Sequence, residues 1–216
     1  MRGRDAYIVV RNTVRVLRDS NRLDDILEVG EVTGRASMQR AVRQLQGIEE
    51  GRRLLAERPE LNSAHVDLET LATLPLGTVG RLFADHVARY GLDIDALNVP
   101  APTDADSDER YLLRRYRGNH DIWHTMLGLG TEGHEEVLVH AFTFGQLQFP
   151  ISTLIMLFGT LKHIVLEGRW DVLRHQIRET YELGRACDPL LALYWEEHWE
   201  TPVEDLRARV GLPATT

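Results

Sequence analysis

Cysteine is almost missing from this chain. Cys187 is the only one among 216 residues, so no internal disulfide can form and a thiolate zinc site is excluded. It stands between Ala186 and an Asp188-Pro189 turn with no histidine pattern beside it, and reads as structural. Lysine is equally scarce: of 25 basic residues only Lys162 is not arginine. That skew suggests a GC-rich genome more than a mechanism. The net charge is −8, so the chain lacks the clustered basic excess that phosphate contacts demand, which argues against a nucleic-acid partner. The N-terminal residues lack the apolar core of a secretory signal, and the helix after them is too charged to be one. The expected compartment is the cytoplasm.

Alternating apolar-polar runs are also missing, so nothing argues for a sheet. Instead the apolar residues recur at helical intervals, as Ile8, Val9, Val14 and Leu17 do. Helices are expected over 6–18, 23–31, 37–46, 49–57, 67–73 and 79–90, and again over 109–117 running into a histidine motif. Further ones are expected over 135–147, 151–167, 171–187, 189–199 and 202–210. Gly30, Gly34 and Gly47 read as breaks between the early segments, and Thr78 as the N-cap of the helix that stops at Gly91. Residues 98–108 form the clearest linker, short enough for a flexible loop within one domain. A chain of this length buries a full core. The predicted architecture is all-α, a single-domain multi-helix bundle over residues 1–216 with a metal site between two helices.

Formal charge is absent from 137 to 161. The stretch is long enough to raise the question of a membrane span, but His140, Gln146 and Gln148 interrupt it and Pro150 divides it. Two helices are the better reading, and the second is apolar nearly all round. It reads as core, with a groove for a long hydrocarbon chain left open. Lys162 and His163 read as end-of-segment polar residues. Trp195, Trp199 and Tyr194 read as aromatics that seat the last helices on the body.

The chemistry concentrates in His120, Asp121 and His124, followed by Glu136 beyond a break at Gly128, Gly130 and Gly133. Histidines four apart share one helical face, and Asp121 can share it. A loop that folds a second helix back brings Glu136 to them. Two imidazoles with one or two carboxylates suit a divalent metal. By spacing alone a second reading stands beside it, a buried polar cluster capping the Gly-rich turn with Asp121 paired to Arg115 or Arg117. His134 and His140 flank Glu136 as potential supports. Arg110, Arg114, Arg115 and Arg117 read mostly as a solvated face, with one or two able to turn inward onto a carboxylate.

Residues 111–124, YLLRRYRGNHDIWH, with eleven residues between His124 and Glu136, resemble the coenzyme Q biosynthesis family called Coq-four, whose signature is His-Asp-x-x-His, eleven residues, then Glu. Residues 50–55, 74–80, 142–150, 193–200 and 206–212 are similar as well, so the likeness runs from about Leu23 onward. It departs at Gly118, where the family often has a glutamate, and at Glu135, where it often has a glycine. The first change removes an acidic neighbour of the motif and the second adds one.

The resemblance implies an all-helical fold, a divalent metal held by His120, Asp121, His124 and Glu136, and a prenylated aromatic or isoprenoid lipid as substrate. Zinc is the first expectation for the metal, with iron or manganese as alternatives. It implies a role in ubiquinone synthesis beside other quinone biosynthesis enzymes. That role is either oxidative decarboxylation of a prenylated 4-hydroxybenzoate-like precursor or a non-catalytic organiser that binds prenyl lipid. Arg115 and, behind it, Tyr116 are the candidates to orient the substrate carboxylate. Phe149, Ile151, Leu154, Ile155 and Phe158 are the candidates to hold the tail. A metal-dependent phosphohydrolase is a weaker rival, for the chain lacks the further ligands of a two-metal site. A homodimer and peripheral attachment to the cytoplasmic face of a membrane complete the expectations. No strongly basic amphipathic helix stands out for tight binding to anionic lipid.

Overall fold

The structure is a computed structural model that describes residues 3–18, 22–97, 107–167 and 170–214. Among the described residues there is no strand, only one isolated bridge between Thr78 and Pro202, and the fold is an all-α single domain. Ten helices follow in order: α1 (Gly3–Arg18), α2 (Leu23–Gln46), α3 (Glu49–Glu57), the single turn α4 (Leu68–Leu71), α5 (Val79–Tyr90), α6 (Asp108–Leu127), α7 (Gly133–Leu147), α8 (Pro150–Glu167), α9 (Trp170–Ala186) and α10 (Val203–Val210). The expected loop at 98–108 lies outside the described residues up to position 106, and so do the side chains of Lys162 and His163.

The Thr78 cap falls where the sequence places it, and Ser107 caps the next helix. Thr78 and Ser107 accept from the N–H groups of Arg81 and Arg110 at the starts of α5 and α6, satisfying donors a helix leaves unpaired. Gly91 and Gly128 close the same helices in left-handed geometry, at φ 61 and 68°, which glycine adopts without steric cost.

Two helices, α6 and α7, carry many of the most deeply buried side chains. Tyr111, Leu112, Ile122, Trp123 and Met126 of the first and Val137, Val139, Ala141 and Phe142 of the second are all buried. Around them α2 crosses α6 and α8, α5 lies on α6, and α9 runs along α7. That last approach is close. A Cβ on Gly184 would come within 2.4 Å of the Phe142 carbonyl, and one on Gly145 within 2.4 Å of the Tyr181 carbonyl.

Three expectations change. The segments 23–31 and 37–46 are one helix, because Gly34 serves contact and not termination: a Cβ there would sit 2.1 Å from the Phe149 ring. The stretch 189–199 is not a helix but two 3-10 turns, Leu190–Ala192 and Trp195–Glu197. Side chains from elsewhere take up its backbone donors: Gln146 accepts from Leu190 N–H at 2.9 Å and Glu50 from Tyr194 N–H at 2.6 Å. The third concerns α8, which is not the central core helix, since Thr153 and Leu157 are exposed and Leu154, Ile155, Met156 and Phe158 half-buried. It forms a wall. Among the described residues no helix is long and apolar enough to cross a membrane. One helix shows exposed apolar side chains, although its Arg11 and Arg15 are paired with Glu28 and Asp25 of α2. On α1, which carries Arg4, Arg11, Arg15 and Arg18, the side chains of Tyr7, Val10 and Val14 are exposed.

Candidate metal centre

His120 and His124 lie one turn apart on α6, and Glu136 lies on the first turn of α7. The Gly-rich connection between the helices brings them together. The two Nε2 atoms are 3.2 Å apart. Each is 3.4 Å from an oxygen of the Glu136 carboxylate, Oε2 for His120 and Oε1 for His124. His124 is fully buried, and its Nδ1 is 2.8 Å from the Gly130 carbonyl. A carbonyl only accepts, so Nδ1 carries the proton and Nε2 presents its lone pair to the cluster. Two imidazole nitrogens and a carboxylate converging this closely leave room for a cation between them. Ligand bonds of about 2.0–2.1 Å in tetrahedral geometry put neighbouring donors about 3.3 Å apart, and the spacing here fits that.

Burial works against the charge on Glu136, but the two histidines outweigh it and hold its carboxyl well below the usual range. Burial opposes protonation of His120, and Glu136 overrides it, raising that ring's pKa. His140, on the same face of α7 as Glu136, behaves oppositely. Burial and the neighbouring His120 push it down to about 3, so its ring is neutral. Its Nδ1 lies 3.4 Å from Ser152 Oγ.

The loop that orients His124 is itself held by Glu135. That carboxylate accepts from Gly130 N–H at 2.8 Å and from Glu132 N–H at 3.1 Å, and Glu132 with Glu135 forms a capping box at the start of α7. The extra acidic residue is therefore not a neighbour of the donors but a brace for their loop. Gly118 also has a packing reason: a Cβ would stand 2.8 Å from the Leu61 carbonyl.

Above the donors opens a cavity of about 390 Å³, whose wall includes Ile26, Leu27 and Gly30 of α2, Tyr116, Arg117, His120, Glu136 and His140, and Phe149, Ile151 and Ile155. Of the five expected tail contacts, Phe149, Ile151 and Ile155 line it. Leu154 and Phe158 are half-buried on α8 and do not. Ile26, Leu27 and Gly30 of α2 complete the wall, and Gly30 and Gly34, which read in the sequence as helix breaks, are the small residues that let α2 approach Phe149.

Two expected roles are corrected. Asp121 stands outside the donor cluster, which contains only His120, His124 and Glu136 among the described residues. One position on from His120, it is rotated about 100° away around the helix. Arg115 does not reach the cavity. Its side chain is fully buried and grips Glu196 with both terminal nitrogens, at 2.5 and 2.8 Å, while bonding the Pro59 carbonyl at 3.2 Å. Tyr116 lines the cavity as expected, its ring edge-on to Trp123 and Phe149, and burial pushes its phenol up to about 12, which keeps the hydroxyl protonated and a donor. The polar-cluster alternative does not form either, since Arg115 is taken by Glu196 and Arg117 donates to the Leu27 carbonyl at 3.0 Å.

Comparison with known proteins gives the family and the fold. The family described as coenzyme Q (ubiquinone) biosynthesis protein Coq4 matches residues 3–215. A Bos taurus protein named ubiquinone biosynthesis protein COQ4 homolog, mitochondrial, is 31% identical over 200 residues, 91% of this chain and 73% of its own length. A Coprinopsis cinerea protein named ubiquinone biosynthesis protein COQ4, mitochondrial, is 30% identical over 196 residues, covering 91% and 67%. Both names carry a mitochondrial location, where the sequence of this chain suggested the cytoplasm. A crystal structure of a candidate ubiquinone biosynthesis protein from Nostoc punctiforme shares the fold, with a TM-score of 0.76 over 97% of each chain at 24% identity.

Proposed function

The chain belongs to the coenzyme Q (ubiquinone) biosynthesis protein family Coq4, and from that membership we propose a metal-dependent oxidative decarboxylase acting on a prenylated 4-hydroxybenzoate-like precursor. The observation that carries the reading is the trio His120, His124 and Glu136 set at the floor of an apolar cavity. Structural metal sites are closed by four protein ligands, whereas catalytic ones keep a position open. Three protein donors facing a cavity fit the second kind.

Two imidazoles and one carboxylate serve zinc enzymes and iron(II) oxygenases alike; zinc is the first assignment, with iron or manganese as the alternatives. A divalent ion held there supplies Lewis acidity toward a phenolate or carboxylate oxygen. In the reaction the bond between the ring carbon and its carboxyl carbon breaks, carbon dioxide leaves, and a C–O bond forms at the same ring carbon. The substrate loses two electrons to dioxygen, which leaves as hydrogen peroxide, while water supplies the ring oxygen, so that acid, water and dioxygen give phenol, carbon dioxide and peroxide.

The protein residues divide the remaining work. Gly130 fixes the tautomer of His124, so that Nε2 faces the cluster. Phe149, Ile151, Ile155 and Ile26 surround the prenyl tail and exclude water, which strengthens electrostatic interactions at the donors. Such a substrate resides in a bilayer. The exposed Tyr7, Val10 and Val14 beside the arginines of α1 suit peripheral contact with an anionic membrane surface. The helix lies directly on α2, whose residues line the cavity.

The test is a single-turnover assay of metal-loaded protein with a prenylated 4-hydroxybenzoate in air, following carbon dioxide release. Release that stops on chelation, returns with one metal and is lost in His124→Ala is the expected result. Tight binding of the prenylated compound with no release, across zinc, iron and manganese, would replace the enzyme by a lipid-binding organiser of other quinone biosynthesis proteins.

A further inference from the structure

Arg117 is a guanidinium in a place where charge is costly. It is only 8% exposed, yet it stands in the wall of the apolar cavity, three residues and thus one helical turn from His120. Its one hydrogen bond among the described residues runs from Nη2 to the Leu27 carbonyl at 3.0 Å. A guanidinium has five N–H donors, and no carboxylate among the described residues bonds to those of Arg117. Burial lowers its hold on the proton, and the attraction of Glu31, which does not line the cavity, only partly offsets this. The cavity carboxylate, Glu136, is engaged by the two histidines. A buried cation without a matching anion is a poor design for stability alone. It suits a site whose anion arrives with the ligand.

We infer that Arg117 forms the anion-binding subsite of the cavity and takes the carboxylate or phosphate head of a prenylated amphiphile by a charge-assisted, forked contact. The Leu27 carbonyl fixes one arm of the fork, which leaves the other edge to face the ligand. The planar fork matches a two-oxygen anion. The inference rests on the prenyl-lipid reading above and gives Arg117 the role that the buried ion pair with Glu196 denies to Arg115.

The test measures binding to the metal-loaded protein, by tryptophan fluorescence or calorimetry, of three probes with one farnesyl tail: 3-farnesyl-4-hydroxybenzoate, its methyl ester, and farnesyl monophosphate. The wild type should prefer the acid to the ester by roughly 10- to 100-fold, the range of one charge-assisted contact. Arg117→Met should abolish that preference by weakening the acid alone, leaving the ester bound as before. If Arg117→Met does not fold, Arg117→Lys must show a reduced acid-to-ester ratio with the ester unchanged. Whether acid or monophosphate binds more tightly tells which anion the subsite is built for. The same acid-to-ester ratio in the variants as in the wild type would overturn the subsite while leaving the lipid cavity standing. Failure of all three probes to bind the wild type would overturn both.

Discussion

Glu135 touches none of the donors, yet its removal should loosen the metal. In Glu135→Ala two charge-assisted contacts vanish, to Gly130 N–H at 2.8 Å and to Glu132 N–H at 3.1 Å. The second is half of the capping box, and losing such a cap costs about 1 kcal/mol. The first frees the Gly130 peptide, which is wedged closely between Tyr90 and Glu135: a Cβ on Gly130 would stand 2.4 Å from the Tyr90 hydroxyl. With the N–H groups of Gly130 and Glu132 both released, the backbone between them can rotate, and the Gly130 carbonyl no longer fixes the tautomer of His124. Loss of a residue that orients a ligand typically weakens metal binding about 10- to 100-fold. Two measurements separate the effects. Thermal unfolding of the metal-free protein should show a drop of a few degrees, about 2–4 °C for each kcal/mol in a chain of this size. Competition with a chromophoric chelator should show the fall in affinity. If the melting temperature falls as expected and the metal affinity stays at the wild-type value, the chain of contacts from Glu135 through Gly130 to His124 is not what positions the ligand.

Arg115→Met leaves Glu196 without its partner in a largely buried site, which should cost about 3–5 kcal/mol of stability; urea unfolding measures it, and chelator competition should find the metal affinity of the folded variant unchanged. Glu50 predicts a pH effect. Burial opposes its charge, but the His198 ring, the Tyr194 N–H and Arg209 hold its carboxyl at about 2, below the ordinary 4.5. A lowered pKa stabilises the fold fully above pH 4.5, and that contribution disappears as pH falls toward 2. Wild type should therefore lose about 1–2 kcal/mol relative to Glu50→Gln over that window, discounted because Arg209 is half exposed, in paired urea titrations at about pH 6 and pH 3. Val10→Asp on α1 should reduce sedimentation with vesicles containing anionic lipid, with no change in melting temperature because Val10 is 64% exposed; equal sedimentation would remove α1 as the contact.

Much of this molecule is legible in one dimension, and the failures share a cause. Periodicity locates α5 and α9 to within a few residues, because each has one face turned to the core, while α7, buried all round from 137 to 143, is bounded by its flanking glycines and Pro150. Spacing brings His120 and His124 together because i, i+4 geometry is local. Glu136 is legible through the motif, and the turn that delivers it through its glycines. What misleads is any residue whose meaning is supplied by a partner far along the chain. Gly34 looks like a helix break until Phe149, more than a hundred positions later, is seen pressed against it. Residues 189–199 carry a helical pattern, but Glu50 and Gln146 take their backbone donors into turns. Arg115 and Arg117 are the sharpest case. Two positions apart on one helix, they differ by about 200° around its axis, so one meets Glu196 and the other the cavity. Sequence can say that an arginine beside the histidines would hold an anion. Only the arrangement of α2, α6 and the turn at 195–197 decides which arginine is still free to do it.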